Sequence, residues 1–129
     1  MAKQHISAAL KNFIKEQIQT APKLEVLLLL HRERSRSFAV VDVARELGFD
    51  TDTAHEQLTA LHSLHLVQPN ADKTRYHYHP ESTVLDSMVD HLAVAYRKQR
   101  VPILSAILGE DPNKVRRFVE AFKLARGND

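Results

Sequence analysis

Cysteine is absent from the 129-residue chain, so neither a disulfide framework nor a thiolate metal site can form, and the composition suits a reducing compartment. Glycine occurs only three times. No glycine-rich phosphate loop, nucleophile elbow or metalloprotease motif is present, and the expectation is a protein that is not an enzyme. The longest apolar run, "LEVLLLL" from Leu24 to Leu30, is far too short to span a bilayer, and no charged-then-apolar leader precedes a small-residue cleavage site. The expected address is cytoplasmic. Net charge is scarce as well: a formal +2 names no polyanionic partner, because only the distribution of charge could do so.

What is present belongs to an ordinary globular protein. Hydrophobic residues make up 43% and charged residues 26% of the chain, which predicts order nearly throughout. The length allows one domain with a real core and excludes two full-sized ones. No internal repeat or low-complexity stretch interrupts it.

Ile6, Leu10, Phe13, Ile14 and Ile18 recur at helical spacing with Lys11, Lys15 and Glu16 between them, predicting an amphipathic helix over residues 5–18. Pro22 suits the first turn of a second helix, in which Leu24, Leu27, Leu28 and Leu30 are buried and which "HRERSRS" ends. "FAVVDVAREL", Phe38 to Leu47, predicts a short helix with Val40, Val43, Ala44 and Leu47 on one face and Gly48 at a left-handed C-cap. Asp50 can cap the next helix, whose buried stripe is Ala54, Leu58 and Leu61. An extended stretch from Leu66 and Val67, the turn residues "PNADKT" and the alternating "RYHYH" then predict a small two-stranded hairpin. Helical spacing returns at Leu85, Met88, Val89, Leu92 and Tyr96. Pro102 predicts a kink or break near residues 98 to 102, because an interior proline removes a backbone bond. After "GEDP", Val115, Phe118, Val119 and Phe122 predict a last helix over 111–125, with Pro112 in its first turn.

"DVARELGF" followed by "LTALHSLHLV" resembles the pattern of bacterial regulators with a winged helix-turn-helix, such as the MarR and ArsR families. The resemblance covers about residues 22–80. His65 stands where those families usually have glycine, at a left-handed helix end that histidine tolerates better than most residues. "AYRKQRVPILSAI" and "RRFVEAFKLAR" also resemble the C-terminal part of a group of uncharacterised bacterial regulators with a winged-helix core. The fold so implied is mainly α: a three-helix core with a two-stranded β wing, plus N- and C-terminal helices. Residues 1–21 would form an N-terminal helix, 22–80 the winged domain, and 81–129 C-terminal helices that in such families build a two-fold dimer.

In a regulator of this kind the outward face of the second helix enters the major groove and the wing meets the backbone or minor groove. At about 100° per residue, the buried stripe leaves Asp52, Glu56, Thr59 and Ser63 on the opposite face, flanked by His55 and His62. That face is acidic. Beside phosphates each acid opposes binding by roughly 1 kcal/mol even in water at ~4 Å. Glu56 either accepts a hydrogen bond from a cytosine amine or lies on a solvated face. Positive charge sits elsewhere, at Lys73 and Arg75 on the wing and at Arg32, Arg34 and Arg36 in the loop entering the motif; these either neutralise phosphates or merely solvate the surface. "RKQR", Arg97 to Arg100, reads as the polar side of a helix. The DNA-binding set is therefore Arg32, Arg34, Arg36, Thr53, His55, Glu56, Thr59, Lys73 and Arg75.

Eight histidines are more than expected. His55 and His62 flank the reading face, and His77 and His79 share one side of a strand, so their protonation would add charge where DNA lies. "HYH" could alternatively chelate zinc or nickel, but two ligands are not a site. No cofactor is expected. The function expected is a DNA-binding transcriptional regulator acting as a dimer, its partner double-stranded DNA. The rival is a protein-interaction module whose apolar helices are the working surface. Replacing Lys73 and Arg75 separates the two.

Overall fold

The computed structural model describes residues 7–108, and they are mainly helical with one small antiparallel sheet. Helix α1 spans Ala8–Phe13, capped by the Ser7 hydroxyl, which accepts from the Leu10 amide. It continues as a π-helical turn, Ile14–Ile18, closed by a Gln19 N–H to Ile14 carbonyl bond of 2.8 Å. The wider turn ends at Gln19, whose φ is +71°. Lys23 then lies buried with its Nζ donating to the Gln17 carbonyl, which the helix end leaves unpaired, and to the Gln19 side-chain oxygen. Burial lowers the Lys23 pKa from its ordinary value.

Helix α2, Ala21–Arg32, has Thr20 as N-cap and Pro22 in its first turn, where a missing N–H carries no penalty. Leu24, Val26, Leu27, Leu29 and Leu30 are all buried, so this helix is the centre of the core. It packs against the π turn, α4, the sheet and α5.

The expected helix over Phe38–Leu47 begins later than its periodicity suggests. Phe38–Ala39 form a strand, β1, and the helix α3 is Val40–Leu47. Phe38 is fully buried, and the Ala39 N–H donates to the Asp42 carboxylate, which fixes the helix start two residues on. Gly48 ends α3 at φ +74°, as its position predicts. Helix α4, Thr51–Ser63, starts at Asp50, whose Oδ1 accepts from the Thr53 N–H at 2.7 Å. That bond holds the Asp50 carboxyl below its usual pKa. The stripe of Ala54, Leu58 and Leu61 is wholly buried, and His65 is left-handed at φ +65°.

Strands β2, Val67–Pro69, and β3, Arg75–Tyr78, make the expected hairpin, but the sheet has a third strand. Its order is β1-β3-β2, with Phe38 opposite Tyr76 and Val67 opposite Tyr78. Two residues of β1 sufficed to hide that strand inside a helical pattern. The hairpin turn is held by Asn70, whose side-chain oxygen accepts from the Thr74 and Arg75 amides, and by Asp72, whose carboxylate accepts from the Thr74 hydroxyl at 2.7 Å.

Helix α5, Thr83–Lys98, is capped by Ser82 and stops at Gln99; α6 follows at Arg100–Leu108. The break falls in the expected place. It puts Pro102 in the first turn of α6, where no intrahelical N–H is missing, and the first bond of that turn comes from Ile103 to Gln99. Tyr96 ties α5 to α2 by donating to Glu25 at 3.1 Å, and burial pushes its pKa up to about 12. The helix expected over 111–125 lies outside the described residues, as does Ile6. Among the described residues no helix is long and apolar enough to cross a membrane.

Candidate functional site

Two helices and a tight turn set the site's frame. Gly48 redirects the chain between α3 and α4, and the buried stripe of α4 presses on α2 and α3. The opposite side is fixed by that packing: Asp52, His55, Glu56, Thr59, His62 and Ser63 are exposed. None of the side chains of Asp52, His55, Glu56 or His62 makes an ion pair or hydrogen bond among the described residues. Thr53 is half-buried beside its cap, and the Ser63 hydroxyl donates back to the Thr59 carbonyl at 3.2 Å.

The hairpin stands next in the chain and offers Lys73 at its turn. Lys73 is exposed, left-handed at φ +60°, and its backbone N–H donates to the Asn70 carbonyl at 3.0 Å. Its ammonium has no carboxylate partner among the described residues. His77 and His79 do share one side, with ring centroids 5.6 Å apart. Among the described residues no three histidines or acids are grouped to hold a metal ion.

The arginines are disposed differently from the lysine. Arg75 donates from Nε to the Ser37 hydroxyl and from Nη2 to the Ser37 carbonyl, both at 3.0 Å, and Nη2 also lies 3.5 Å from Asp42. Arg36 bridges Glu33 at 2.9 Å and Glu46 at 3.1 Å, with its guanidinium 4.2 Å above the centre of the Phe38 ring. The bond to Glu33 raises its pKa most, with Glu46 adding to it. Among the described residues Arg32 has only a loose contact, 3.8 Å to Glu33, and is two-thirds exposed.

Arg34 belongs to another junction, where α2, β3 and α5 meet. Its Nη2 lies 3.2 Å from Asp90 and 2.6 Å from the His31 Nε2, and its guanidinium sits 5.3 Å from the Tyr78 ring centre. His31 Nε2 also lies 2.7 Å from Asp90. An arginine nitrogen only donates and a carboxylate only accepts. With a proton on Nε2 the ring donates to Asp90; without one it accepts from Arg34, so only one contact is favourable at a time. The His31 bond, followed by that of Arg34, holds the Asp90 carboxyl below its ordinary pKa. Tyr78 donates to Asp86 at 2.7 Å, and its burial, with that acid alongside, raises the phenol pKa strongly.

The structure therefore gathers His55, Glu56 and Thr59 on one face and Lys73 with Arg75 on the hairpin, but it does not bring Arg34 to them. Sequence reasoning missed Ser37, Asp42, Asp86 and Asp90 as partners. The three-residue spacings of Glu33 with Arg36 and of His31 with Arg34 carried a local signal, and Asp86 is eight residues from Tyr78; Glu46, Ser37 and Asp90 lie ten to fifty-nine residues from the groups they meet. No family model, no curated protein and no solved structure matches the chain.

Proposed function

We propose that the chain is a winged helix-turn-helix protein that binds double-stranded DNA as a dimeric transcriptional regulator. One observation carries the reading: α4 is anchored by a fully buried stripe while its other side is exposed and unpartnered beside a hairpin tipped by an uncommitted lysine. In this reading α4 lies in the major groove and the Asn70–Thr74 turn is the wing, with Lys73 on a phosphate. The α1–α5 side is the dimer surface. It leaves Val84 72% exposed and an open cavity of about 420 Å³ lined by Leu10, Val84 and Met88 among others.

The test is fluorescence anisotropy against mixed-sequence duplex at several salt concentrations, with Lys73→Ala alongside. The wild type should bind with an affinity that falls with salt, and the variant should lose about 0.9 from the log–log slope for each subunit on the duplex. Absence of binding at low salt would refute the proposal.

A second reading is favoured by a specific observation. Asp52 and Glu56 are unpaired on α4, while Arg34, Arg36 and Arg75 are engaged by acids of the same chain. That balance suits a winged helix that meets a protein rather than nucleic acid. Capture of a protein partner that survives Lys73→Ala, by a chain that ignores duplex, would select it.

A further inference from the structure

Arg75 sits two residues from the hairpin's uncommitted lysine, on the strand that leads out of the same turn. Its fork is nevertheless turned toward its own domain, onto the Ser37 hydroxyl and carbonyl and toward the Asp42 carboxylate. A carboxylate offers a guanidinium what a phosphate offers: anionic oxygens that accept its N–H donors. Asp42 is held in place independently, because its Oδ2 also accepts the Ala39 N–H that starts α3. We propose that Asp42 and Ser37 are an internal surrogate for phosphate that withholds Arg75 from DNA, an autoinhibitory contact that keeps general affinity for duplex low. The inference rests on the DNA-binding reading and adds a regulation of that same surface.

An arginine already paired gains only the difference between its old and new partners, so random duplex gains little from Arg75. Release of the fork adds one phosphate contact. Each such contact steepens the log–log salt dependence by about 0.9, so the affinity advantage of a released variant should shrink about 3.5-fold per bound subunit between 50 and 200 mM salt.

Two variants loosen the fork by different means. Asp42→Asn removes the charge but keeps an oxygen able to cap α3, and Ser37→Ala removes the Nε acceptor without any change of charge. Glu16→Gln, an exposed acid on the π turn, is the control for net charge. Binding of full-length chains to mixed-sequence 20-base-pair duplex is read by anisotropy, with circular dichroism confirming the fold.

The expected result is tighter binding and a steeper slope for Asp42→Asn, a rise in affinity for Ser37→Ala, and no change in slope for Glu16→Gln. Arg75→Ala should abolish both gains while leaving the slope of the otherwise unaltered chain where it was. Wild-type slope in Asp42→Asn, with no gain in Ser37→Ala, overturns the inference while DNA binding stands. The Ser37→Ala arm decides alone should Asp42→Asn fail to fold. If the wild type does not bind duplex at low salt, the DNA-binding reading itself falls.

Discussion

Gly48→Ala and His65→Gly should change stability in opposite directions, for one physical reason. Both positions end a helix of the pair in the left-handed region, at φ +74° and +65°. A Cβ at Gly48 would meet nothing within 4 Å, so alanine there brings no collision with the rest of the fold. What remains is the local strain of an L-residue in that conformation, about 1–2 kcal/mol, offset by the roughly 0.4–1 kcal/mol that alanine contributes by restricting the unfolded chain. The net expectation is a loss of about 1 kcal/mol. His65→Gly reverses both terms and should stabilise by a similar or somewhat smaller amount. The His65 side chain is mostly exposed and gives up only a 3.9 Å contact with Glu81, and pairs of that kind contribute little. Urea unfolding followed by circular dichroism resolves the effect, since at a slope of roughly 1–3 kcal/mol per molar the midpoints should move about 0.5 M apart from wild type in opposite senses. A Gly48→Ala chain as stable as wild type would show that backbone strain is not what selects glycine at that turn. A destabilised His65→Gly chain would mean that the imidazole holds the hairpin entry in some way its exposure does not indicate.

Leu58→Ala removes a fully buried side chain from the face by which α4 rests on α2 and α3. A loss of about 2–5 kcal/mol is expected in the same urea assay; a loss under about 1 kcal/mol would mean that α4 is not seated as described. Asp90 links stability to acid pH. Its folded pKa is depressed by His31 and Arg34, so its contribution is present above the ordinary carboxylate pKa of about 4 and is lost as pH falls through the depressed value. Thermal melts between pH 7 and pH 3 should show Asp90→Asn less stable than wild type at pH 7 and the two curves converging below pH 4. A constant gap across that range would exclude the ion pair as the cause.

Much of the fold was legible because each helix boundary carries its own local chemistry. Gly48, Asp50 and the residue at 65 mark their turns by backbone requirement or by cap, and all three sit as those requirements predict. Pro102 forecast an interruption, and the chain breaks at Gln99 so that the proline falls in a first turn. The miss at Phe38–Ala39 has a definite cause. Two residues are too few to show the alternation of a strand, and Val40, Val43 and Ala44 supply a helical period that runs back across them. Only the pairing with Tyr76 and Arg75, nearly forty residues away, makes them extended. Local propensity yields there to a partner that periodicity cannot see.

The same limit governs the site, with a greater consequence. Sequence position shows which arginines stand near a turn or a hairpin; it does not show which acids the fold delivers to them. Glu46 reaches Arg36 across ten residues, Asp42 reaches Arg75 across thirty-three and Asp90 reaches Arg34 across fifty-six. Three of the four arginines counted as available from the sequence are thus engaged by acids within the folded domain; Arg32 keeps a loose 3.8 Å contact with Glu33, and Lys73, the shorter and less specific cation, is left open at the hairpin turn. The acidic α4 face points the same way, since Asp52 and Glu56 weaken attraction to phosphates rather than strengthen it. A surface whose Arg34, Arg36 and Arg75 are paired to acids, with Asp52 and Glu56 at its centre, is poorly suited to holding random duplex. In the regulator reading, discrimination must then come from contacts that α4 makes with bases, together with release of Arg75, rather than from general charge. The affinity for a cognate site should therefore exceed that for random duplex by a margin that narrows once Asp42 is neutralised.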